Sequence, residues 1–323
     1  MKVDLVTILM PARNAGKFID TAIRSIINQT YREWELIVCD DCSSDNTFDR
    51  IQYYAEMDNR IRVYRNSQQL GYLKTCNRLY VYADGEFVAF QDADDECDPR
   101  RIEEQLRLIR DDQNKFCGCD MQYMSLKGNR LSKYVRKREH LENPFPRIGD
   151  SSLLVRKSQI ERIGGLYRPF FINHQDYDLG LRLFEVFTYV NLDKPFYYYR
   201  NVPNSNSKKF NDPKYVINGE IARELAVQRR AHGFDFLDLG DEAAMRRLVD
   251  SKMNIYHSDK SALERRAVSY LISIEMYRTA LPCAIRAIFK DPFNLLPYRS
   301  FFYLLRAVAS DSISSFFKPR SYG

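Results

Sequence analysis

The sequence predicts an α/β fold: a mostly parallel sheet with helices on both faces, followed by a C-terminal helical region. Three observations predict it. Short runs rich in Val, Ile and Leu alternate with helix-period segments through about the first hundred residues. Strand–helix–strand alternation at that spacing implies a parallel sheet covered on both faces. From about residue 212 onward the pattern turns wholly helical.

Each element has its own signal. Val3–Met10 is an apolar run ending at Pro11, and Phe18, Ile19, Ala22, Ile23, Ile26 and Ile27 then recur at helical spacing. Trp34–Cys39 reads as the second strand. Ser44 or Asp45 caps the next helix, whose apolar face holds Phe48, Ile51 and Tyr54 or Ala55. Ile61–Tyr64 is a third strand, Gly71–Ala83 a helix and Glu86–Gln91 a fourth strand. Asp98-Pro99 opens a further helix with a cap and a first-turn proline in place. Residues from about 115 to 205 mix strand and helix signals, and Ile285–Phe289 and Leu295–Val308 carry the C-terminal helical pattern.

Composition narrows the function. The 323-residue chain is 45% hydrophobic and carries a net charge of +6, enough for a core but short of the density expected of a nucleic-acid binder. That charge suits a phosphate-bearing substrate or an anionic membrane surface. No run reaches the ~18 apolar residues of a spanning helix. The expected location is therefore cytoplasmic, or peripheral on the inner face of the membrane. Seven scattered cysteines read as reduced thiols, and Cys39-x-x-Cys42 and Cys117-x-Cys119 lack a companion His for a zinc site. A P-loop, a G-x-G-x-x-G after the first strand, H-E-x-x-H and G-x-S-x-G are all absent.

The chemistry gathers where strands end. In open α/β sheets ligands bind beyond the carboxyl ends of the strands. The first strand runs into Pro11-Ala12-Arg13-Asn14, the second into Asp40-Asp41, and the fourth into Asp92-Ala93-Asp94-Asp95. An Asp-x-Asp at a strand end points two carboxylates into one cleft across an alternating backbone. Both stay ionised there if a divalent cation such as Mg²⁺ or Mn²⁺ bridges them to substrate phosphates. A nucleoside diphosphate is the implied partner, with the ion acting as a Lewis acid on it.

Three segments together resemble a known family. Val6–Thr47, the run FVAFQDADD and Gly164–Leu183 resemble, in order and over about 200 residues, family 2 inverting glycosyltransferases of the GT-A (Rossmann-like) fold. The resemblance implies that Pro11, Arg13 and Asn14 line a nucleotide pocket. Asp41, or Asp40 in its place, would accept a hydrogen bond from the nucleobase. Asp92 would lie near the ribose or the metal, Asp94 would bind the metal, and Asp95 would touch the donor sugar. Asp176 would be the catalytic base, taking the acceptor hydroxyl's proton. The implied donor is a UDP-sugar, the implied cofactor Mn²⁺ or Mg²⁺, and the implied acceptor a glycan or lipid-linked saccharide, with no nucleic acid partner. A sugar nucleotidyltransferase and a non-catalytic scaffold are the alternatives.

Departures from the family pattern are Gln175 before the base, where Glu is common, and Val202 where a metal-contacting His is common. Residues 1–210 would form the catalytic domain and 211–323 a helical region for packing, acceptor or membrane-surface contact. In that region Leu295, Leu296, Phe301, Phe302, Leu304 and Leu305 mix with Arg299, Arg306 and Lys318, either an interfacial composition or a packing face. The basic run from Asn129 to His140 reads as a solvated loop or as a phosphate or membrane contact.

Overall fold

A computed structural model describes residues 2–135, 143–146, 149–202, 212–273 and 277–317. The chain divides into two compact units. The first comprises Met1–Pro203 with Ala226–Ala231, and the second Asn204–Leu225 with His232–Gly323. The boundary expected at residue 210 lies outside the described residues, as do Lys318 and the end of the basic run, Arg136–His140.

In the first unit, nine strands of the described residues form one sheet. They are β1 (Lys2–Ala12), β2 (Trp34–Asp40), β3 (Ile61–Arg65), β4 (Gly85–Phe90), β5 (Glu96–Cys97), β6 (Lys115–Met124), β7 (Arg130–Val135), β8 (Leu154–Arg156) and β9 (Thr188–Arg200). Their order is β3-β2-β1-β4-β8-β6-β9-β5, with β7 added to β6. The first four strands are parallel, as strand–helix alternation requires. Beyond them the sheet is mixed: β8 runs antiparallel to β4 and β6, while β9 returns parallel to β6.

Every residue of β2 is buried, as expected of a strand covered on both faces. β1 runs two residues past the expected end, through Pro11. Proline is tolerated there because the ladder to β4 has already finished at Leu9–Phe90, so no pair on that side loses a donor. The helices α1 (Ile19–Ile27), α2 (Thr47–Met57), α3 (Tyr72–Val81) and α4 (Arg101–Ile109) follow the predicted segments within a few residues. The short α5 (Lys157–Arg162) follows β8, and α6 (Gln175–Val186) precedes β9. Ile19, Ile23 and Ile26 of α1 and Ile102, Leu106 and Ile109 of α4 share one core with Val6, Ile8 and Phe87 of the sheet.

The loops after β1 and β2 are stitched together. Asp41 N–H donates to Ala12 O at 2.8 Å, and Asn14 N–H to Ser43 Oγ at 2.9 Å. Ser44 N–H returns a bond to Asn14 Oδ1 at 3.0 Å. Asn14 adopts a left-handed φ of 50°, a conformation Asn tolerates through local hydrogen bonding. Asp45 joins both loops, accepting from Gly16 N–H at 3.0 Å and from Thr47 N–H and Oγ1. It thus satisfies the first amide of α2 from one position before the N-cap, which is Asn46 and not Ser44 or Asp45 as expected.

The second unit is helical: α7 (Pro213–His232, whose Ala226–Ala231 belong to the first unit), α8 (Glu242–Ser258), α9 (Ala262–Ser273), α10 (Tyr277–Lys290) and α11 (Leu295–Phe317). Its core joins Ala267, Val268, Leu271 and Ile272 of α9 to Ala280, Cys283 and Ala284 of α10 and Leu304 of α11.

Burial works against the Asp45 charge, but its hydrogen bonds to Thr47 and Gly16 outweigh that and hold its carboxyl below the usual value. A depressed carboxyl contributes stability above its unfolded pKa of about 4 and loses it as pH falls. Asp45→Asn is therefore expected to lower Tm at pH 7, with the deficit shrinking below about pH 4. Thermal melts of both proteins from pH 3 to 7 check this.

Candidate active site

The parallel register delivers three loops to one edge. Ala12 stands level with Asp40, and Leu9 with Phe90, so the residues after β1, β2 and β4 emerge side by side. Arg13 and Asn14 are exposed there and Pro11 is half-buried.

Asp40 and Asp41 are both buried but differently engaged. Asp41 Oδ1 accepts from Asn66 Nδ2 at 2.7 Å and Leu70 N–H at 2.8 Å, and its Oδ2 accepts from Gly71 N–H at 2.8 Å. Of the roughly four acceptor positions of a carboxylate, Asp41 keeps one open. Asp40 Oδ2 meets Arg65 Nε at 3.2 Å and Ser43 N–H at 3.3 Å, while its buried Oδ1 has no hydrogen-bond partner.

Beyond β4 the chain makes a turn, with Asp95 N–H donating to Asp92 O at 3.2 Å, and its burial alternates: Gln91, Ala93, Asp95 and Cys97 are buried, and Asp92, Asp94, Glu96 and Asp98 half-buried. The acids thus divide into distinct environments. Glu96 pairs with Arg200 at 2.6 Å and Arg130 at 3.3 Å. Asp98 accepts from Tyr198 OH at 3.1 Å and from Arg100 N–H at 3.0 Å. Asp95, expected at the donor sugar, is only 1% exposed, and its Oδ1 accepts from Arg200 N–H at 2.7 Å. Asp92 accepts from Tyr72 OH at 3.2 Å. Among the described residues neither Asp92 nor Asp94 has an ion-pair partner.

Their electrostatics follow. Burial pushes the Asp92 carboxyl well above its usual value, and Asp150, Asp94 and Asp176 add to the shift. Burial also raises Asp94, offset in part by its own backbone amide and by Arg200. Asp95 is raised by burial, then by Asp94 and Asp92.

Several of these groups were not foreseen. Asp150 begins a 3-10 turn, Asp150–Ser152, just before β8. Because β8 runs antiparallel to β4, with Leu154 opposite Ala89, its start lies at the edge where β4 ends. Tyr167 OH donates to Asp150 Oδ2, and the Tyr72 and Tyr167 ring centroids lie 6.4 Å apart. Asn77 fixes Tyr167 by a reciprocal pair, donating to Tyr167 O at 2.8 Å and accepting from its N–H at 3.0 Å. Arg101 is fully buried and donates only to neutral acceptors: Phe90 O at 3.0 Å, Gln91 Oε1 at 3.3 Å, Gln105 Oε1 at 3.1 Å, Ser151 O at 2.8 Å and Leu153 O at 3.4 Å. It clamps the end of β4 to the turn that carries Asp150.

Asp176 lies half-buried in the first turn of α6, which the chain enters through His174 at a left-handed φ of 59°. Its carboxylate is within electrostatic reach of both Asp92 and Tyr167. Asp178 is fully buried between Arg168 and Arg182, with Arg182 Nε at 3.0 Å. Arg182 also donates to the carbonyls of Ile163 at 2.9 Å and Gly165 at 2.8 Å. That pair anchors α6 and leaves Asp176 as the acid of the first turn not committed to an ion pair among the described residues. Arg78 is likewise structural, donating to Asn66 Oδ1 beside Asp41.

No three His, Cys, Asp or Glu side chains among the described residues converge to hold an ion by themselves. Half-buried and without an ion-pair partner among the described residues, Asp92 and Asp94 fit an ion whose remaining ligands come from a bound phosphate group and water.

Comparisons with known proteins identify the family and the fold. Residues 7–162 match the profile of glycosyl transferase family 2. A putative teichuronic acid biosynthesis glycosyltransferase, TuaG of Bacillus subtilis, is 30% identical over 68% of this chain and 89% of its own length. An Escherichia coli protein, WfgD, named a UDP-Glc:α-D-GlcNAc-diphosphoundecaprenol β-1,3-glucosyltransferase, is 41% identical over 32% of this chain and 41% of its own length. Among solved structures, Staphylococcus aureus TarS in complex with UDP-GlcNAc superposes with a TM-score of 0.58 at 18% identity, covering 78% of this chain and 72% of that one. The chain belongs to glycosyl transferase family 2 and is a glycosyltransferase of GT-A fold.

Proposed function

We propose that this protein is an inverting, metal-assisted glycosyltransferase that moves a sugar from a UDP-sugar to a saccharide or lipid-linked glycan in cell-surface polysaccharide synthesis. One observation carries the reading: Asp92 and Asp94 stand half-buried with no ion-pair partner among the described residues, Asp92 within reach of Asp150 and Asp176, at the edge where β1, β2 and β4 end. The UDP-GlcNAc bound in the TarS structure and the diphosphoundecaprenol acceptor in the name of WfgD support the donor and acceptor classes. A lipid-linked acceptor would bring the enzyme to the inner face of the membrane. Family membership favours sugar transfer over nucleotidyl transfer or a non-catalytic scaffold.

Pro11, Arg13 and Asn14 line the nucleotide. Asp41, locked by Asn66, Leu70 and Gly71, offers its remaining acceptor position to a uracil N–H. Asp40 is the second reading for that contact, favoured by its unpartnered Oδ1. Asp92 and Asp94 would hold Mn²⁺ or Mg²⁺. The bound ion supplies positive charge that stabilises the diphosphate as a leaving group. Asp95 braces Arg200 and acts on the site by positioning it. Asp176 accepts the acceptor hydroxyl's proton as that oxygen attacks the anomeric carbon from the face opposite the diphosphate. Asp178 cannot share this task, because it is fully buried and already paired with two guanidinium groups.

Asp176→Asn is expected to lower turnover by about 10²–10⁴-fold while leaving Mn²⁺-dependent UDP binding intact. Asp94→Ala is expected to abolish transfer and to weaken that binding by roughly tenfold or more. Donor turnover and calorimetric UDP titration read the two apart, and normal turnover in Asp176→Asn would remove the assigned base. Asp92→Asn relieves a crowded buried charge. In the absence of metal and nucleotide it is expected to raise Tm at neutral pH by about 2–4 °C, the shift that about 1 kcal/mol produces in a unit of this size.

A further inference from the structure

The second unit exposes an apolar surface that its core does not require. α10 buries Ala280, Cys283, Ala284 and Ala287, which accounts for one of its faces. Its opposite face carries Leu281, Ile285 and Phe289 at four-residue spacing, 41%, 40% and 80% exposed. Phe293, four residues further, is 98% exposed in the turn before α11, and Leu295 and Phe302 of α11 are 76% and 66% exposed. Exposed aromatic and aliphatic groups in such density mark a contact surface.

The charge on this segment is one-sided. From residue 277 to 310 the chain carries five basic residues (Arg278, Arg286, Lys290, Arg299 and Arg306) against one acid, Asp291. Arg286 and Lys290 are shared with Glu264, at 3.3 and 3.0 Å. Arg278, Arg299 and Arg306 are exposed and make no ion pair among the described residues. On α11, Leu295, Arg299, Phe302 and Arg306 follow one another at spacings of four, three and four, so apolar and cationic groups alternate along one helix face. No helix of the described residues is long and apolar enough to cross a membrane. A partner that takes aromatic side chains to shallow depth and presents dense negative charge beside them is an anionic bilayer surface.

We infer that the α10–α11 face docks on an anionic phospholipid membrane, with Phe289, Phe293 and Leu295 entering the headgroup region and Arg278, Arg299 and Arg306 resting on lipid phosphates. This deepens the reading above by naming the surface that would hold the enzyme beside a lipid-linked acceptor. Its test reads lipid binding and not transfer, so either can fail alone.

The experiment uses the full chain with sedimentable vesicles of phosphatidylcholine, alone or with about one-third phosphatidylglycerol. Phe289→Ser/Phe293→Ser and Arg299→Glu/Arg306→Glu are compared with the wild type, with Tm and slow UDP-sugar hydrolysis as checks on folding and donor chemistry. The wild type is expected to pellet with the anionic vesicles and to be released as salt rises. Both variants are expected to lose roughly tenfold or more of that binding while hydrolysing donor as before. Three outcomes would overturn the proposal. They are no pelleting at low salt, equal binding to uncharged vesicles, or light scattering that shows a dimer which the Phe289→Ser/Phe293→Ser variant dissolves without any vesicle binding.

Discussion

Everything at the carboxyl edge of this sheet answers to one constraint: Asp92 and Asp94 are partly withdrawn from water beside other acids, and among the described residues neither carboxylate forms an ion pair, Arg200 offsetting the cost at Asp94 only in part. Burial alone raises both carboxyls, and each added acid raises the cost of ionising the next. Elsewhere the chain neutralises its acids readily. Glu96 has Arg200 and Arg130, Asp178 has Arg168 and Arg182, and Glu35 has Arg62 at 3.0 Å. The contrast sets the Asp92–Asp94 pair apart from the other acids named here.

Holding like charges together requires a stiff frame, and the structure supplies it mainly through groups that carry no opposing charge to the site. Arg101 turns its guanidinium onto backbone carbonyls and amide side chains, fixing the end of β4 to the turn of Asp150 without neutralising either. Tyr72 and Tyr167 contact Asp92 and Asp150 through hydroxyls. Asp178, by contrast, is spent on a buried ion pair that fixes α6, while Asp176, two positions earlier, makes no ion pair among the described residues. Breaking such a pair by removing one partner is expected to be costly, because a buried charge would remain alone.

The parallel half of the fold and its three acidic or polar loops were legible because a short continuous apolar run followed by a helix-period run leaves few alternatives. Pro11 was legible as a strand end only within two residues, since the cost of its missing N–H depends on where the β4 ladder stops. Asp150 was not legible. Its place depends on β8 running antiparallel to β4, a pairing that spans more than sixty residues of sequence and leaves no local pattern. Arg101 and Arg200 were hidden for a related reason: both are buried arginines whose partners are largely backbone carbonyls, which any sequence offers. Asp95 lay in a run of acids that composition cannot divide. The alternation of burial past β4 turns it inward, away from the side on which Asp92 and Asp94 stand.

The central claim is that the acid pair is completed only when a divalent ion and a nucleoside diphosphate occupy it together. Calorimetric titration of UDP into the wild-type chain, once with Mn²⁺ and once with EDTA, tests it most directly. The account predicts binding roughly tenfold or more tighter with Mn²⁺, and a gain that Asp92→Asn diminishes. Equal affinity in the two titrations would contradict it.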